Sequence, residues 1–303
     1  MSSRICPPVV RRHPLHWSLG TPARRRPQET RAINVRSIMH FMHRWLLRSR
    51  HIEARVPVYD LKLTVTPADV VGRHLYKYRE YEPELAAALA SHVKPGEDDL
   101  CLDVGANIGW YSLLLWRLSA GRAAILCFEP DPDNFALLQR NLAQNDAAGV
   151  QPFQLAAGSE PGTLALHRYG RSNTGRHSLL PLHAGESVPV EVVTLDDFLD
   201  THGLGDTPVK CLKMDIEGYE LPALRGATRT LARTRWILLE HSPAYMRQAG
   251  LDPAELVALL ADSGFTPCVP EAGPLTGIPR AELAQDPAQR NVLWQRVDAQ
   301  RSP

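Results

Sequence analysis

The sequence of 303 residues lacks the features of several simple protein classes. No apolar run approaches the ~18 residues of a transmembrane helix, so we expect no membrane-spanning segment. The five cysteines, Cys6, Cys101, Cys127, Cys211 and Cys268, form no C-x-x-C pair, which argues against a structural zinc site. Because Cys101, Cys127 and Cys211 fall inside predicted strands, we interpret them as buried thiols in a reducing compartment and expect a cytoplasmic protein.

The first 50 residues lack lysine and contain a single acid, Glu29, beside eleven arginines, a formal balance of +10. The whole chain has a net charge of +1, so the remainder carries −9. Five prolines and the Arg24-Arg25-Arg26 run predict no packed structure over residues 1–32. Apolar side chains recur at helical spacing among the arginines of residues 33–47, which predicts a short amphipathic helix.

Four interpretations of this basic extension, residues 1–50, stay open. We expect a disordered extension without a function of its own, with Met39 or Met42 nearer the true start of the protein. The alternatives are contact with an anionic membrane surface, an arm that binds nucleic acid, and a mitochondrial transit peptide. The prolines weaken the transit-peptide interpretation.

A strand, a glycine loop and a helix start follow one another after residue 98. Residues 100–104 form a short apolar run, typical of a strand buried on both faces. Gly105 and Gly109 bracket a tight turn, and a helix is predicted over 108–118 with Asn107 as its N-cap. This arrangement predicts a cradle for a cofactor.

The residues around the loop favour one class of cofactor. A dinucleotide site requires G-x-G-x-x-G, because the pyrophosphate lies against bare backbone where this chain has Asn107. The carboxylate of Asp103 would repel a pyrophosphate and attract a cationic ligand such as S-adenosylmethionine. Glu129 closes the second predicted strand, from which a carboxylate accepts hydrogen bonds from both ribose hydroxyls. Ala156, at the end of the third predicted strand, completes the cofactor-binding candidates.

Strands and helices alternate along the rest of the chain, which predicts an α/β fold with a doubly wound, mostly parallel sheet. Residues 163–194 lack helical periodicity, so we expect a β-hairpin insertion there. We divide the chain into the basic extension, a lead-in strand or hairpin and helix over 51–97, and a catalytic domain over 98–298. Strands are predicted at 100–104, 123–128, 151–156, 209–214, 236–239, 265–269 and 291–297, and the main helices at 82–93, 108–118, 134–145 and 256–263.

Charged side chains gather where two further strands end. The fourth strand ends in Lys213, Asp215 and Glu217 at alternate positions, which is costly unless they emerge at its carboxyl end, where ligands bind. The fifth strand ends in Glu240 and His241. We therefore expect all five side chains at one catalytic crevice.

A hydroxyl acceptor needs a base for the proton that it loses. Our candidates are His241, Asp215 and Glu217, followed by His177 and His183 if the insertion folds over the crevice. The carboxylates at these strand ends would alternatively hold Mg²⁺, but we predict no metal site.

Several segments together resemble a known family. They are D-V-G-A-N-I-G at 103–109, Glu129-Pro130, K-M-D-I-E-G-Y-E at 213–220, and Glu240-His241, joined by Tyr81-Glu82 and residues 173–179. As a set they are similar to the FkbM family of S-adenosylmethionine-dependent methyltransferases, over roughly residues 75–297.

The resemblance implies a Rossmann-like, class I methyltransferase fold of seven strands, with a final antiparallel strand. It also implies methylation of hydroxyl oxygens in sugars, glycans, glycolipids or natural products. By motif, Asp103, Gly105, Asn107 and Glu129 would bind the cofactor. Asp215, Glu217 and Glu240 would face the acceptor.

Three other functions stay open. An NAD-linked oxidoreductase would share the glycine loop and Glu129, but Asn107, Asp103 and the acidic strand ends disfavour it. A nucleic-acid methyltransferase would use the basic extension, although the rest of the chain is acidic. A non-catalytic binding module is the third. We expect a small-molecule or glycan acceptor, selected by residues 163–194 and 271–290.

Overall fold

A computed structural model describes residues 35–47, 49–170, 173–182 and 185–297. The predicted disorder of residues 1–32, Cys6 and the candidate base His183 lie outside these residues. Within the described ranges, no helix combines the length and apolar character needed to cross a membrane.

The strands, in chain order, are β1 Ile52–Val56, β2 Leu61–Val65, β3 Leu100–Val104, β4 Ala124–Phe128, β5 Val150–Phe153, β6 Ala156–Ala157, β7 Gly162–His167, β8 Ser187–Val193, β9 Val209–Met214, β10 Thr234–His241, β11 Phe265–Cys268 and β12 Arg290–Arg296. The α-helices are α1 Val35–Phe41, α2 Val70–Tyr78, α3 Pro83–Ala88, α4 Trp110–Leu118, α5 Pro132–Gln144, α6 Leu195–Thr201, α7 Glu220–Arg225, α8 Thr228–Ala232, α9 Pro243–Gln248, α10 Pro253–Asp262 and α11 Arg280–Gln285.

Seven strands form the main sheet in the order β11-β12-β10-β9-β3-β4-β5. Strands β5, β4, β3, β9 and β10 pair in parallel, while β12 lies antiparallel to both β10 and β11. The predicted doubly wound, mostly parallel sheet of the class I methyltransferase fold is therefore confirmed. The chain runs outward through β4 and β5 on one side of β3 and through β9 and β10 on the other. Ligands bind at the carboxyl ends of the strands at such a reversal.

Two apolar clusters cover the two faces of this sheet. Every residue of β3 is buried, as its continuous apolar run predicts. Successive side chains point to opposite faces, so Cys101 belongs to one cluster and Leu102 to the other. The central strands are thus fixed from both sides, which holds the residues at their carboxyl ends in place.

The insertion forms a sheet of its own, in the order β6-β8-β7. Strands β7 and β8 pair antiparallel from Gly162↔Val192 to His167↔Ser187, so the predicted β-hairpin is confirmed. The single strand predicted over 151–156 is wrong. It divides after Phe153, because Ala156 leaves the main sheet to pair in parallel with Val192 of the hairpin.

The lead-in contains a hairpin of β1 and β2, and the outer edge of β2 is covered by the side-chain amides of Asn141, in α5, and Asn145, directly after it. Asn141 Oδ1 accepts the Thr64 N–H at 2.7 Å, and Asn145 Oδ1 accepts the Lys62 N–H at 3.0 Å. Asn145 Nδ2 donates to the Lys62 carbonyl at 2.6 Å, and Asn141 Nδ2 donates to the Ile108 carbonyl at 2.8 Å. The amides thus satisfy backbone groups that a neighbouring strand would otherwise pair.

Some helices differ from their predicted bounds. The helix predicted over 82–93 begins at Pro83, because Glu82 is left-handed with φ +45°, and it continues as a π-helical turn, Leu89–Val93. The predicted amphipathic helix is present as α1 followed by a second π-helical turn, Met42–Leu46. The helices that the sequence did not predict are α2, α6, α8, α9 and α11.

Candidate active site

A cavity of about 400 Å³ lies at the carboxyl ends of β3, β4, β9 and β10. Its walls also include the start of α2 and part of the insertion. We call the side lined by Gly105, Asn107 and Glu129 the loop half. The side lined by Glu82, Asp215, Glu217 and Glu240 is the acidic half.

The glycine loop is pressed against the neighbouring strand ends. Gly105 has φ +78°, and a Cβ there would lie 1.9 Å from the Asp215 carbonyl oxygen, so only glycine fits. The backbone N–H of Gly105 and that of Ala106 both donate to the Phe128 carbonyl, at 3.0 and 2.9 Å. The loop is therefore shaped by β4 and β9 before any ligand arrives.

Asn107 is not the helix cap that the sequence predicts. The N-cap of α4 is Gly109 with φ +90°, and no side chain caps the helix. Asn107 instead has φ +51° and lines the cavity. Its Oδ1 is buried and accepts no hydrogen bond from any residue that the structure describes, so it is free to accept one from a ligand. Gly109 does not line the cavity.

Glu129 lies at the end of β4 and is fixed from two sides. Its Oε2 accepts the Asn107 N–H at 2.7 Å and its Oε1 accepts the Asp131 N–H at 3.0 Å. Burial raises the pKa of Glu129 to about 7 against the lowering effect of these N–H donors. Its carboxylate lines the cavity together with Ala156, the predicted candidate after the third strand.

The structure contradicts the predicted position of Asp103. Its carboxylate is fully buried and does not line the cavity, because it points toward Ser112 and Lys213 inside the protein. Ser112 Oγ donates to it at 2.6 Å, and the Lys213 ammonium lies 3.3 Å away. Asp103 therefore contacts Lys213, which lines the cavity, and does not line it itself.

Lys213 joins the two halves of the cavity. Its Nζ donates to the Gly105 carbonyl at 2.8 Å and lies 4.0 Å from the Asp215 carboxylate. Burial alone would lower the pKa of the Lys213 ammonium. The carboxylates of Asp103 and Asp215 outweigh that effect and raise it above the ordinary lysine value. The residue therefore stays a cation in a buried position.

The loop after β9 turns sharply to present its acids. Glu217 and Gly218 are both left-handed, with φ +54° and +95°. Glu220, the first residue of α7, holds the turn, because its Oε1 accepts the N–H groups of Ile216 at 3.1 Å and Gly218 at 3.2 Å. The strained backbone is thus supported by a buried side chain behind it.

Three carboxylates meet in the acidic half. One oxygen each from Asp215, Glu217 and Glu240 lies within 4.8 Å of the others, a spacing that a metal ion would accept. Burial and then the charge of Asp215 raise the pKa of Glu217 to about 8, and the same causes raise the pKa of Glu240. Protons therefore neutralise part of this cluster near neutral pH.

His241 is separated from the cavity that its neighbour lines. Strand β10 continues through His241, so Glu240 and His241 point to opposite faces of the sheet. The imidazole is fully buried, and burial lowers its pKa. The structure therefore contradicts the expectation that His241 serves as a base in the crevice.

Glu82 is a cavity residue that the sequence did not assign to the site. It accepts a hydrogen bond from the Tyr111 hydroxyl and a longer one from Asn291 Nδ2, at 3.5 Å. Burial raises the pKa of its carboxyl. The family resemblance pointed to Tyr81-Glu82 but gave it no role. The left-handed backbone that turns Glu82 inward has no signal in the sequence.

The insertion folds over the cavity and is fixed at two points. Arg168 Nε lies 2.7 Å from Asp131 Oδ2, and Ser178 Oγ donates to the Glu217 carbonyl at 2.9 Å. His177 lines the cavity, with its Nδ1 accepting the Tyr169 N–H at 2.9 Å. Its Nε2 lies 4.0 Å from Asp131 Oδ2, which places this candidate base beside the loop half, where the Asp131 N–H contacts Glu129.

Comparisons with known proteins agree with this geometry. Methyltransferase 1 of Beauveria bassiana is 31% identical over 195 residues, which cover 57% of this chain and 74% of the relative. Hexuronic acid methyltransferase AglP of Haloferax volcanii is 25% identical, covering 69% and 80%. The 2-O-methyltransferase NoeI of Sinorhizobium fredii is 26% identical, covering 54% and 71%.

The Methyltransferase FkbM domain matches residues 103–267, more than half of the chain. The match runs from the buried aspartate of β3 to the strand β11. It includes the glycine loop and three members of the acidic half. This protein belongs to the FkbM methyltransferase family.

Proposed function

We propose that this protein transfers the methyl group of S-adenosylmethionine to a hydroxyl oxygen of a sugar, glycan, glycolipid or natural product. The observation that carries the proposal is the single cavity in which the loop half faces the acidic half. Two of the relatives named above are a hexuronic acid methyltransferase and a 2-O-methyltransferase, which supports an oxygen acceptor.

The residues of the loop half fit S-adenosylmethionine. Glu129 presents a carboxylate that accepts ribose hydroxyls, and Asn107 Oδ1 offers a buried acceptor with no partner among the described residues. Gly105 keeps the backbone clear where a Cβ would collide. When bound, S-adenosylmethionine supplies an electrophilic methyl group on a sulfonium. The negative charge of the acidic half suits the two positive charges of this cofactor.

The acidic half suits an acceptor rich in hydroxyl groups. A carboxyl group accepts hydrogen bonds when ionised and also donates one when protonated, so Glu82, Glu217 and Glu240, whose pKa values are raised, suit a ligand rich in hydroxyl groups, which accept and donate. Orientation of the acceptor oxygen supplies most of the acceleration that these residues can give. Asp215, whose carboxylate lies 4.0 Å from Lys213, is our candidate to take the acceptor proton.

The cavity and the family membership disfavour the three alternative functions. A nucleic-acid acceptor would bring phosphates beside four carboxylates, which repel them. Membership of the methyltransferase family disfavours the NAD-linked oxidoreductase. The retained carboxylates argue against a binding module without activity.

The proposal is tested with the full chain, isotope-labelled S-adenosylmethionine and a panel of acceptors. The panel includes neutral sugars, hexuronic acids, amino sugars, glycolipids and RNA. We expect label in a methyl ether, identified by mass spectrometry and NMR, on at least one hydroxyl acceptor and none on RNA. Label on RNA bases, or tight binding of NAD with no binding of S-adenosylmethionine, would overturn it.

A further inference from the structure

Helix α1 and the turn that follows it present their apolar side outward. In the part of the chain that the structure describes, twelve large apolar side chains are exposed, and eight of them lie in residues 35–47. They are Val35, Ile38, Met39, Phe41, Met42, Trp45, Leu46 and Leu47. Single exposed apolar residues are ordinary, but a contiguous group of them marks an interaction surface.

The polar side of the same segment faces the protein. His40 is its buried residue, and its Nε2 lies 2.7 Å from the Pro67 carbonyl oxygen. His43 packs edge-on against the Tyr76 ring at 6.1 Å, and Arg36 donates to the Tyr76 carbonyl at 3.4 Å. The usual amphipathic arrangement is therefore inverted, because an ordinary surface helix turns its apolar stripe to the core.

The charge around this segment is positive. The segment lies within residues 1–50, which contain eleven arginines and one acid. Helix α2, on which it packs, contributes Arg73 and Lys77. After burial, which is the largest cause, Lys77, Arg44 and Arg73 lower the pKa of His40, so these cations surround the contact between the two helices.

We propose that residues 35–47 bind the surface of an anionic lipid bilayer, with the apolar side chains in the interface and the arginines at the headgroups. An apolar face with tryptophan, phenylalanine and leucine, flanked by arginine and nearly free of acids, is the composition of an interfacial helix. The segment is too short to span a bilayer and lies in its plane.

The position of the segment relates this surface to the active site. Helix α2 begins with Val70 and Val71 in the cavity wall, and residues 35–47 contact it from Pro67 to Tyr76. Helix α2 also touches the short turn Thr174–Arg176 of the insertion above the cavity. A protein bound through this surface would hold its cavity close to the bilayer. The binding itself does not depend on the proposed methyl transfer.

The first test measures binding of the full chain to vesicles. We expect roughly tenfold tighter binding to phosphatidylcholine vesicles that contain phosphatidylglycerol than to phosphatidylcholine alone, and weaker binding at higher salt. Trp45→Glu should weaken binding to the mixed vesicles about tenfold. Val58→Glu is the matched control, because Val58 is 64% exposed against 60% for Trp45 but lies in the turn between β1 and β2, and it should bind within about twofold of wild type.

The second test asks whether Trp45 enters the bilayer. Trp17 lies outside the described residues, so the measurement is made in the Trp17→Phe background. Trp110, Trp116, Trp236 and Trp294 are buried, so brominated lipids should quench Trp45 fluorescence and leave these four unchanged. Trp45→Phe keeps an aromatic ring and should retain vesicle binding while losing that quenching.

Two outcomes would overturn the proposal. One is a Trp45→Glu protein that binds mixed vesicles as tightly as wild type, because the basic extension would then bind alone. The other is a dimer in sedimentation velocity that Trp45→Glu dissociates, with no vesicle binding by wild type, because a second copy would then cover the face. Unchanged S-adenosylhomocysteine affinity in Trp45→Glu shows that the variant is folded.

Discussion

The two halves of the cavity differ in how closely their carboxylates crowd one another. Every acid in or behind the loop half has a partner inside the protein: Glu129 accepts two backbone N–H groups, and Asp103 has Ser112 and Lys213. In the acidic half, Glu240 accepts a hydrogen bond from Ser242 Oγ at 3.0 Å and Glu217 accepts a longer one from Gln289 at 3.4 Å. One oxygen of each also lies within 4.8 Å of the other and of Asp215, so like charges crowd there. Burial and then the neighbouring acids raise the pKa values of these two glutamates, to about 8 for Glu217, whereas the N–H donors of Glu129 limit the effect of its burial and hold its pKa at about 7.

This difference indicates that the loop half is preorganised, whereas the acidic half is stabilised when a ligand binds. Buried polar groups that are satisfied internally hold a fixed geometry, which suits a cofactor that is the same in every turnover. Crowded carboxylates are stabilised by a ligand that donates hydrogen bonds to them, and a polyhydroxylated acceptor is such a ligand. Lys213 contacts both halves, so it is the first residue with which to test the comparison.

Removing the cation between the halves should have the largest effect. Lys213→Met leaves Asp103 buried without its ion-pair partner, and we expect a loss of about 3–5 kcal/mol in the free energy of unfolding. Urea and thermal unfolding measure it. Lys210→Met, on the same strand, breaks a half-exposed pair with Asp99 at 3.6 Å and should cost less than about 1 kcal/mol. Equal losses in the two variants would contradict the buried role of Lys213.

Neutralising one acid should separate catalysis from cofactor binding. Asp215→Asn keeps the shape of the side chain but cannot take a proton, so we expect kcat to fall by roughly 10²-fold or more. Its affinity for S-adenosylhomocysteine should stay within about threefold, because the loop half is intact. Asp197→Asn, an exposed acid on α6, serves as the control. A turnover within about threefold of wild type would show that Asp215 is not in the site.

The loop half predicts a pH dependence of cofactor binding. Ribose hydroxyls bind best to the ionised carboxylate of Glu129, and its pKa in the free protein is about 7. Protonation competes with the ligand as the pH falls, so the Kd for S-adenosylhomocysteine should rise about tenfold from pH 8 to pH 6. Calorimetry across this range measures the effect. Glu129→Gln should flatten the profile, whereas Asp133→Asn, an exposed neighbour, should keep it.

The smallest effect is expected from removing divalent metal. Protons and the Lys213 ammonium already neutralise part of the acidic half, so chelation should change the rate of methyl transfer by less than about twofold. Assays with and without EDTA, at constant ionic strength, measure it. Loss of activity that only Mg²⁺ restores would instead make the three carboxylates a cation site.

The sequence predicted the sheet better than the directions of the side chains at its edge. Strands β3 and β9 have their predicted bounds, because each is a short, mostly apolar segment that ends at a clear signal, Gly105 after β3 and Asp215 after β9. The placement of His241 was wrong because β10 runs two residues further than its apolar core, which turns alternate residues to opposite faces. Asp103 was misplaced because its partner, Lys213, is distant in the chain.

Residues brought in by backbone strain or from outside the sheet had no local signal. Glu82 enters the cavity through a left-handed backbone before Pro83, a conformation that the sequence does not specify. Helix α2 contributes Val70 and Val71 to the cavity wall, but its amphipathic pattern covers only nine residues and did not predict a helix. These contacts depend on tertiary packing, which local periodicity does not encode.

The side-chain amides of Asn141 and Asn145 on strand β2 affect how the folded protein can associate with other copies of itself. Each outer edge of a two-stranded hairpin leaves a row of peptide groups that a strand of another molecule can pair with, which favours domain exchange and fibre growth. Asn141 and Asn145 already occupy the alternate positions on that row, at Thr64 and Lys62. The protein is thereby protected from self-assembly at this edge by two short side chains, without a further strand.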